Sequence, residues 1–190
     1  MSKSIREFFD PRCVFSLRNL TVMALLAAIK FILVSYTRIP LTPAFRISPF
    51  DYIPNAMVAF LYGPWAAMAF GVASDTVGFF AKPMGPYFPG FAISEAVMGL
   101  IYACFAYRRP TDKIKPLIIR MVFARLLILL AVTFGLNLLW MNMLMGQTAA
   151  VFFSTIRLVS NAALFPVYVV LSAGAVKLAA RLAAPSGKKT

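Results

Sequence analysis

Residues 17–36, LRNLTVMALLAAIKFILVSY, are a largely apolar stretch of 20 residues, with Arg18 at its start and one further cation, Lys30, in its second half. A helix that rises about 1.5 Å per residue needs about 20 residues to cross the hydrocarbon core of a bilayer. The rest of the chain is similar, since 61% of its 190 residues are hydrophobic and 13% are charged, against about 25% charged in soluble domains. The sequence therefore predicts an all-α integral membrane protein.

Apolar runs and the Gly/Pro breakers between them divide the chain into six predicted transmembrane helices in a single domain, residues 1–190. The predicted spans are 17–36, 50–61, 65–80, 90–107, 117–141 and 153–182. The second and third are shorter than a full span of about 20 residues. Short segments bounded by Gly or Pro tend to lie beside the ligand site in transporters.

The distribution of basic residues predicts that both termini are cytoplasmic. Basic residues are frequent in the head (1–16), in the loop after the fourth span and in the tail (183–190), whereas the opposite side carries only Arg38, Arg46 and Lys82. Cytoplasmic loops carry the excess of Lys and Arg in membrane proteins. The net charge of +13 is thus explained by the membrane boundary, and nucleic-acid binding is not predicted.

Four ionisable residues interrupt the apolar spans: Lys30, Asp75, Glu95 and Arg157. Counting helical rise from the outer ends of the spans places all four about 6–9 Å below the outer boundary. A charge at membrane depth is costly and usually faces a polar cavity or a partner. The four residues could be structural ion pairs that lock the bundle, but their shared depth favours a binding pocket near the outer face.

Other polar and aromatic residues belong to the same level or to the loops above it. Aromatic faces and guanidinium groups suit a flat heteroaromatic ligand that carries carboxylates, although an interfacial aromatic belt would explain some of these rings. The predicted substrate-binding residues are Lys30, Tyr36, Arg38, Arg46, Asp75, Tyr87, Phe88, Phe91, Glu95, Asn137, Trp140, Arg157 and Asn161.

Small residues form stripes on three spans. Ala24 and Ala28 are one helical turn apart on the first span, and such a step lets another helix approach closely. Similar stripes on the third and fourth spans are most simply internal packing. The step on the first span could equally face a partner subunit.

Two absences restrict the chemistry of the chain. It contains no histidine, which excludes Ser–His catalysis and HExxH metal sites, and it contains no P-loop sequence for ATP hydrolysis. An enzyme is therefore not predicted, and neither is a metal or a cofactor.

Three blocks of the sequence resemble the substrate-binding S components of energy-coupling factor (ECF) vitamin transporters, and most of all their folate-specific branch. The blocks are FRISPFDYIPNAMVAFLYGPWAA (45–67), GPYFPGFAISEAVMGLIYACF (85–105) and LNLLWMNMLMGQ…IRLVSNAALFPVYVV (136–170). The similarity extends over about residues 20–175. Asp51 and Glu95 depart from the folate pattern and could favour a ligand donor group or a different vitamin.

The resemblance implies a multi-pass protein of the bacterial cell membrane that captures a folate-like vitamin under a lid formed by the loop after the first helix. It implies delivery to a transmembrane T subunit and two ATPase subunits, with Ala24 and Ala28 on the docking surface. The alternatives are an S component for another nutrient, such as a thiamine precursor, riboflavin or a queuosine-type base, and a self-assembling channel.

Overall fold

The described part of the chain is built from helices that follow the predicted spans. The structure is a computed structural model, and it describes residues 16–37, 39–42, 45–47, 50–82, 87–146 and 155–183. The helices are α1 (Leu17–Thr37), α2 (Tyr52–Tyr62), α3 (Pro64–Ala81), α4 (Pro89–Ala106), α5 (Ile114–Ile128), α6 (Asn137–Met145) and α7 (Thr155–Ala183). A π-helical segment, Leu129–Leu136, joins α5 to α6, so these three elements form one continuous helical stretch.

The chain between α1 and α2 adds a short hairpin that the all-α prediction omitted. Strands β1 (Ile39–Thr42) and β2 (Phe45–Ile47) pair antiparallel, with Pro40 opposite Arg46. Proline is unfavourable inside a helix, and it favours extended conformations at the preceding residue. Pro40 therefore explains why the chain becomes extended after α1.

The junction between α2 and α3 depends on Gly63. This residue adopts φ of +85°, and its N–H donates to the carbonyl of Ala59, which ends α2. A Cβ at this position would lie 2.9 Å from the ring of Tyr107, so the site excludes a side chain for reasons of both backbone conformation and space. Pro64 then occupies the first turn of α3, where its missing N–H costs no hydrogen bond.

The fifth span is longer and less regular than predicted, because the helix continues from residue 114 to 145 through the π-helical segment. Its sequence, LLAVTFGL, is uniformly apolar and carries no local signal for the change of helix type. Segments of π-helix are rare and often lie at functional sites. This one immediately precedes Asn137 and Trp140, both predicted binding residues.

The core lies where α2, α3, α4 and α7 approach one another through small side chains. A Cβ on Gly71 would lie 2.6 Å from the carbonyl oxygen of Glu95, and one on Gly99 would lie 2.5 Å from that of Ala67. The predicted stripes on the third and fourth spans therefore pack internally at these two positions. Close approach through small residues is the usual way in which membrane helices associate.

The outer surface of the bundle suits a lipid environment. Large apolar side chains are exposed along several helices, among them Leu25, Ile32, Val77, Phe123, Leu130 and Val170. Within the residues that the structure describes, four segments are long and apolar enough to cross a membrane: Leu17–Tyr36, Pro89–Ala106, Ile114–Leu144 and Leu158–Ala183. α2 and α3 are the segments that the sequence predicted to be short.

Candidate functional site

A buried lysine is the centre of the candidate site. Lys30 on α1 is 5% exposed, and its Nζ donates to Glu95 Oε2 on α4 at 2.6 Å. The same ammonium donates to Asn55 Oδ1 on α2 at 3.2 Å and to Ser74 Oγ on α3 at 3.0 Å. It also forms an ion pair with Asp51 Oδ1 at 3.4 Å. Four helices thus meet at one cation.

Glu95 has more than one partner in this network. Its Oε2 atom also accepts a hydrogen bond from Asn55 Nδ2 at 3.0 Å. The absence of a side chain at Gly71 lets the backbone of α4 come close to α3 at Glu95. Buried charges need both a counter-ion and hydrogen bonds to offset their desolvation, and Lys30 and Glu95 have both. We call Lys30, Asp51, Asn55, Ser74 and Glu95 the lysine network.

A cavity of about 120 Å³ opens beside the lysine network. Its charged lining consists of three carboxylates, those of Asp51, Asp75 and Glu95, and two ammonium groups, those of Lys30 and Lys82. The remaining lining includes rings and small or apolar residues: Phe31, Val34, Ser35, Ser74, Gly78 and Phe79. The excess of carboxylates favours a ligand edge that donates hydrogen bonds.

A second polar group lies where α4 meets α6. Trp140 Nε1 donates to Ser94 Oγ at 3.0 Å, and Ser94 Oγ donates to Asn137 Oδ1 at 2.9 Å. The rings of Phe88 and Trp140 are 5.6 Å apart between centroids, and those of Phe88 and Phe91 are 6.1 Å apart. Ser94 and Glu95 are consecutive on α4, so this group lies next to the lysine network along the chain.

Aromatic residues gather at the end of α3. The rings of Phe79 and Phe80 lie 5.1 and 5.6 Å from that of Tyr87, and the Phe80–Tyr87 pair is stacked. The hydroxyls of Tyr87 and Thr76 are within hydrogen-bond distance, at 3.2 Å. Phe79 also lines the cavity, so this aromatic cluster lies beside it.

The structure brings part of the predicted site together. Lys30, Asp75 and Glu95 line the cavity. Tyr87, Phe88, Phe91, Asn137 and Trp140 form the two neighbouring groups, and Asn161 is partly buried on α7. Tyr36, at the end of α1, is 86% exposed and is not among the residues that line the cavity.

Three predicted arginines fall wholly or partly outside the described residues. Arg38 lies outside them altogether. For Arg46, on β2, and Arg157, on α7, only the backbone is described. The positions of their side chains are therefore still predictions.

The prediction missed several polar members of the site. Asp51, Asn55, Ser74, Lys82 and Ser94 were not among the predicted binding residues, although the sequence had marked Asp51 as an acid near the pocket. Asp51 and Asn55 are four residues apart at the start of a short helix, and Ser74 and Ser94 adjoin the predicted acids. A search for small polar residues next to each intramembrane charge would have found Ser74 and Ser94 but not Asp51, Asn55 or Lys82.

Ala24 and Ala28 lie on an exposed face of α1. Their small side chains are therefore available to a neighbouring helix and are not used in the core of the described bundle. Within the described residues, there is no cluster of three or more His, Cys, Asp or Glu side chains that could hold a metal ion.

Comparison with known proteins relates the chain to transporters in both sequence and structure. Over residues 18–182 the chain matches the sequence profile of the family described as ECF transporter, substrate-specific component. It is 36% identical over 141 residues to the folate transporter FolT of Clostridium novyi (strain NT). The aligned region covers 74% of this chain and 78% of that protein.

Two further comparisons cover more of the chain. The folate transporter FolT of Leuconostoc mesenteroides subsp. mesenteroides is 28% identical over 178 residues, 90% of each protein. A solved structure described as the crystal structure of FolT bound with folic acid superposes with a TM-score of 0.75 at 25% identity, over 86% of this chain and 94% of that one.

Proposed function

Because the chain belongs to the family of substrate-specific components of ECF transporters, we propose that it is the folate-binding component of such an importer. Similar proteins named as folate transporters, and a similar structure with bound folic acid, support this choice of ligand. The family consists of transporter components, so the chain acts by binding and delivery in the cell membrane, which it crosses several times.

The charged cavity beside Lys30 is the observation that carries the proposal. Folate has a flat pterin at one end, with an amino group and ring N–H groups that donate hydrogen bonds, and an anionic glutamate at the other. Three carboxylates against two ammonium groups line the cavity, so the donor edge of the pterin fits there better than the glutamate does. Asp75 and Glu95 are the proposed acceptors, with Asn137 and Asn161 as further polar partners.

The cavity matches one end of the ligand. Its volume of about 120 Å³ is smaller than the roughly 300–1,000 Å³ of sites that bury a whole drug-sized molecule. We therefore assign the cavity to the pterin, which would stack on the neighbouring rings of Tyr87, Phe88 or Trp140.

The glutamate end requires cations at some distance from the cavity. Arg46, Arg38 and Arg157 are the proposed contacts, because a guanidinium binds a carboxylate with two parallel hydrogen bonds. Arg46 belongs to β2, in the loop after α1 that we propose closes over the bound ligand.

We further propose that the chain crosses the membrane six times with both termini cytoplasmic, and that it docks on a T subunit that carries two ATPase subunits. The concentration of Lys and Arg on the side of the termini supports this orientation. The exposed step of Ala24 and Ala28 on α1 supports a docking role for that face.

Calorimetric titration of the purified protein with folic acid tests the ligand, together with native mass spectrometry of whatever co-purifies. Saturable binding of folic acid, or a folate mass released on denaturation, is the expected result. A flavin or pyrimidine absorption spectrum in the released material would instead identify a component for riboflavin or a thiamine precursor. Ionic leak through vesicles that contain the chain alone would contradict the proposal and indicate a channel.

A further inference from the structure

A second buried cation, outside the lysine network, is Arg125. Arg125 on α5 is 1% exposed. Its guanidinium carbon lies 4.3 Å from the ring centroid of Tyr52 on α2 and 4.0 Å from that of Tyr168 on α7. The two rings also contact each other edge to face, with centroids 4.6 Å apart. We call these three residues the arginine clamp.

Ring faces hold this arginine in place. Within the described residues, Nε and Nη1 of Arg125 have no hydrogen-bond partner. A desolvated guanidinium close to an aromatic ring is among the stronger side-chain contacts, and this one contacts two adjacent rings. The arginine clamp therefore fixes the ring of Tyr52, the first residue of α2, against α5 and α7.

The residue before Tyr52 is Asp51, the carboxylate that pairs with Lys30 across the cavity. Asp51 precedes the helix without a side-chain capping bond to it. Its Oδ1 atom makes no hydrogen bond within the described part of the chain, apart from the ion pair. The position of this carboxylate thus depends on the backbone at the start of α2, and the arginine clamp anchors that backbone.

From this arrangement we infer that Arg125 is a positioning residue for ligand binding: by clamping Tyr52, it holds the Asp51 carboxylate at the cavity. Arg125 does not line the cavity and need not touch the ligand. The inference rests on the proposed function, because it assumes that the cavity beside Lys30 receives the ligand. It assigns a role in that function to a cation that is not at the site.

A double-mutant cycle with folic acid as the probe separates positioning from general stability. Arg125→Met replaces the cation with an apolar side chain of similar length, which buried sites often tolerate. Arg125→Met and Asp51→Asn should each weaken folic acid binding at least tenfold. The double variant should be no more than about threefold weaker than the weaker single variant, because both changes remove the same carboxylate contact.

Arg120→Met is the matched control. Arg120 is on the same helix but donates to the carbonyls of Pro116 and Pro110 near the preceding loop. Its replacement should leave the affinity within threefold of wild type. If Arg125→Met cannot be recovered folded, Tyr168→Leu removes one ring face of the clamp and should weaken binding at least threefold.

Amide hydrogen exchange supplies a measurement that needs no ligand. Exchange of the amides of Ile53, Asn55 and Ala56, at the start of α2, should speed up in Arg125→Met, and it should be unchanged in Arg120→Met. The inference would be overturned if exchange at these amides were unchanged in Arg125→Met. It would also be overturned if the losses of affinity caused by Arg125→Met and Asp51→Asn multiplied in the double variant. Failure of wild type to bind folic acid would instead refute the proposed function, and the exchange measurement would still test the clamp.

Discussion

Replacing Lys30 with methionine should destabilise the free protein strongly, because Lys30 is the shared partner of two partly buried carboxylates. The ammonium lies 2.6 Å from Glu95 Oε2 and 3.4 Å from Asp51 Oδ1. Methionine fills a similar volume but provides neither charge nor hydrogen-bond donors. Asp51 and Glu95 would then share the same region without a cation between them.

The size of the effect follows from the burial of these groups. Removing one partner of a buried ion pair costs about 3–5 kcal/mol, since the other charge is left without compensation. The carboxylate side chains are 23% and 18% exposed, so water offsets part of the loss, and we expect about 3–4 kcal/mol. For a chain of this size, 1 kcal/mol corresponds to about 2–4 °C in Tm. The expected decrease is therefore about 6–16 °C.

Thermal unfolding of the detergent-purified protein, followed by loss of the monodisperse species, measures this decrease. Lys82→Met is the control, because Lys82 lines the cavity but is exposed, and its Tm should stay within about 2 °C of wild type. Adding Glu95→Gln to Lys30→Met should restore at least half of the loss, because one of the two stranded charges is removed. A Tm for Lys30→Met within 2 °C of wild type would refute the reasoning, and so would a double variant that melts no higher than the single one.

Three further predictions concern ligand binding and docking. Asp75→Asn and Arg157→Ala should each weaken folic acid binding at least tenfold, about 1.4 kcal/mol, while the protein stays monodisperse. If calorimetry finds both affinities unchanged, these residues have only a structural role. Arg46→Ala should weaken binding of folic acid far more than binding of a bare pterin, and an equal loss for both ligands would argue against a carboxylate contact. Ala24→Trp and Ala28→Trp should abolish ATP-driven uptake into vesicles that hold the whole complex, while the isolated chain keeps its affinity; uptake that persists in both would place the docking face elsewhere.

The order and approximate limits of the helices could be predicted from the sequence. Long apolar runs need a membrane, and the Gly63-Pro64 pair marks the junction between α2 and α3, so both signals are local. The expectation that Lys30 and Glu95 face a polar site also came from the sequence alone, because a charge within an apolar helix is too costly to face lipid. The hairpin between α1 and α2 was missed, because its two strands are only four and three residues long.

The partners of each polar side chain were decided by the tertiary structure. Lys30 contacts Asn55, Ser74 and Glu95, which are 25, 44 and 65 positions away in the chain. In a soluble helix an apolar stripe shows which face turns inward, but a membrane helix is apolar towards both lipid and core, so that signal disappears. The contacts between helices, such as the close approach of α3 and α4 at Gly71 and Gly99 and the pairing of Arg125 with Tyr52 and Tyr168, are instead visible only in the tertiary structure.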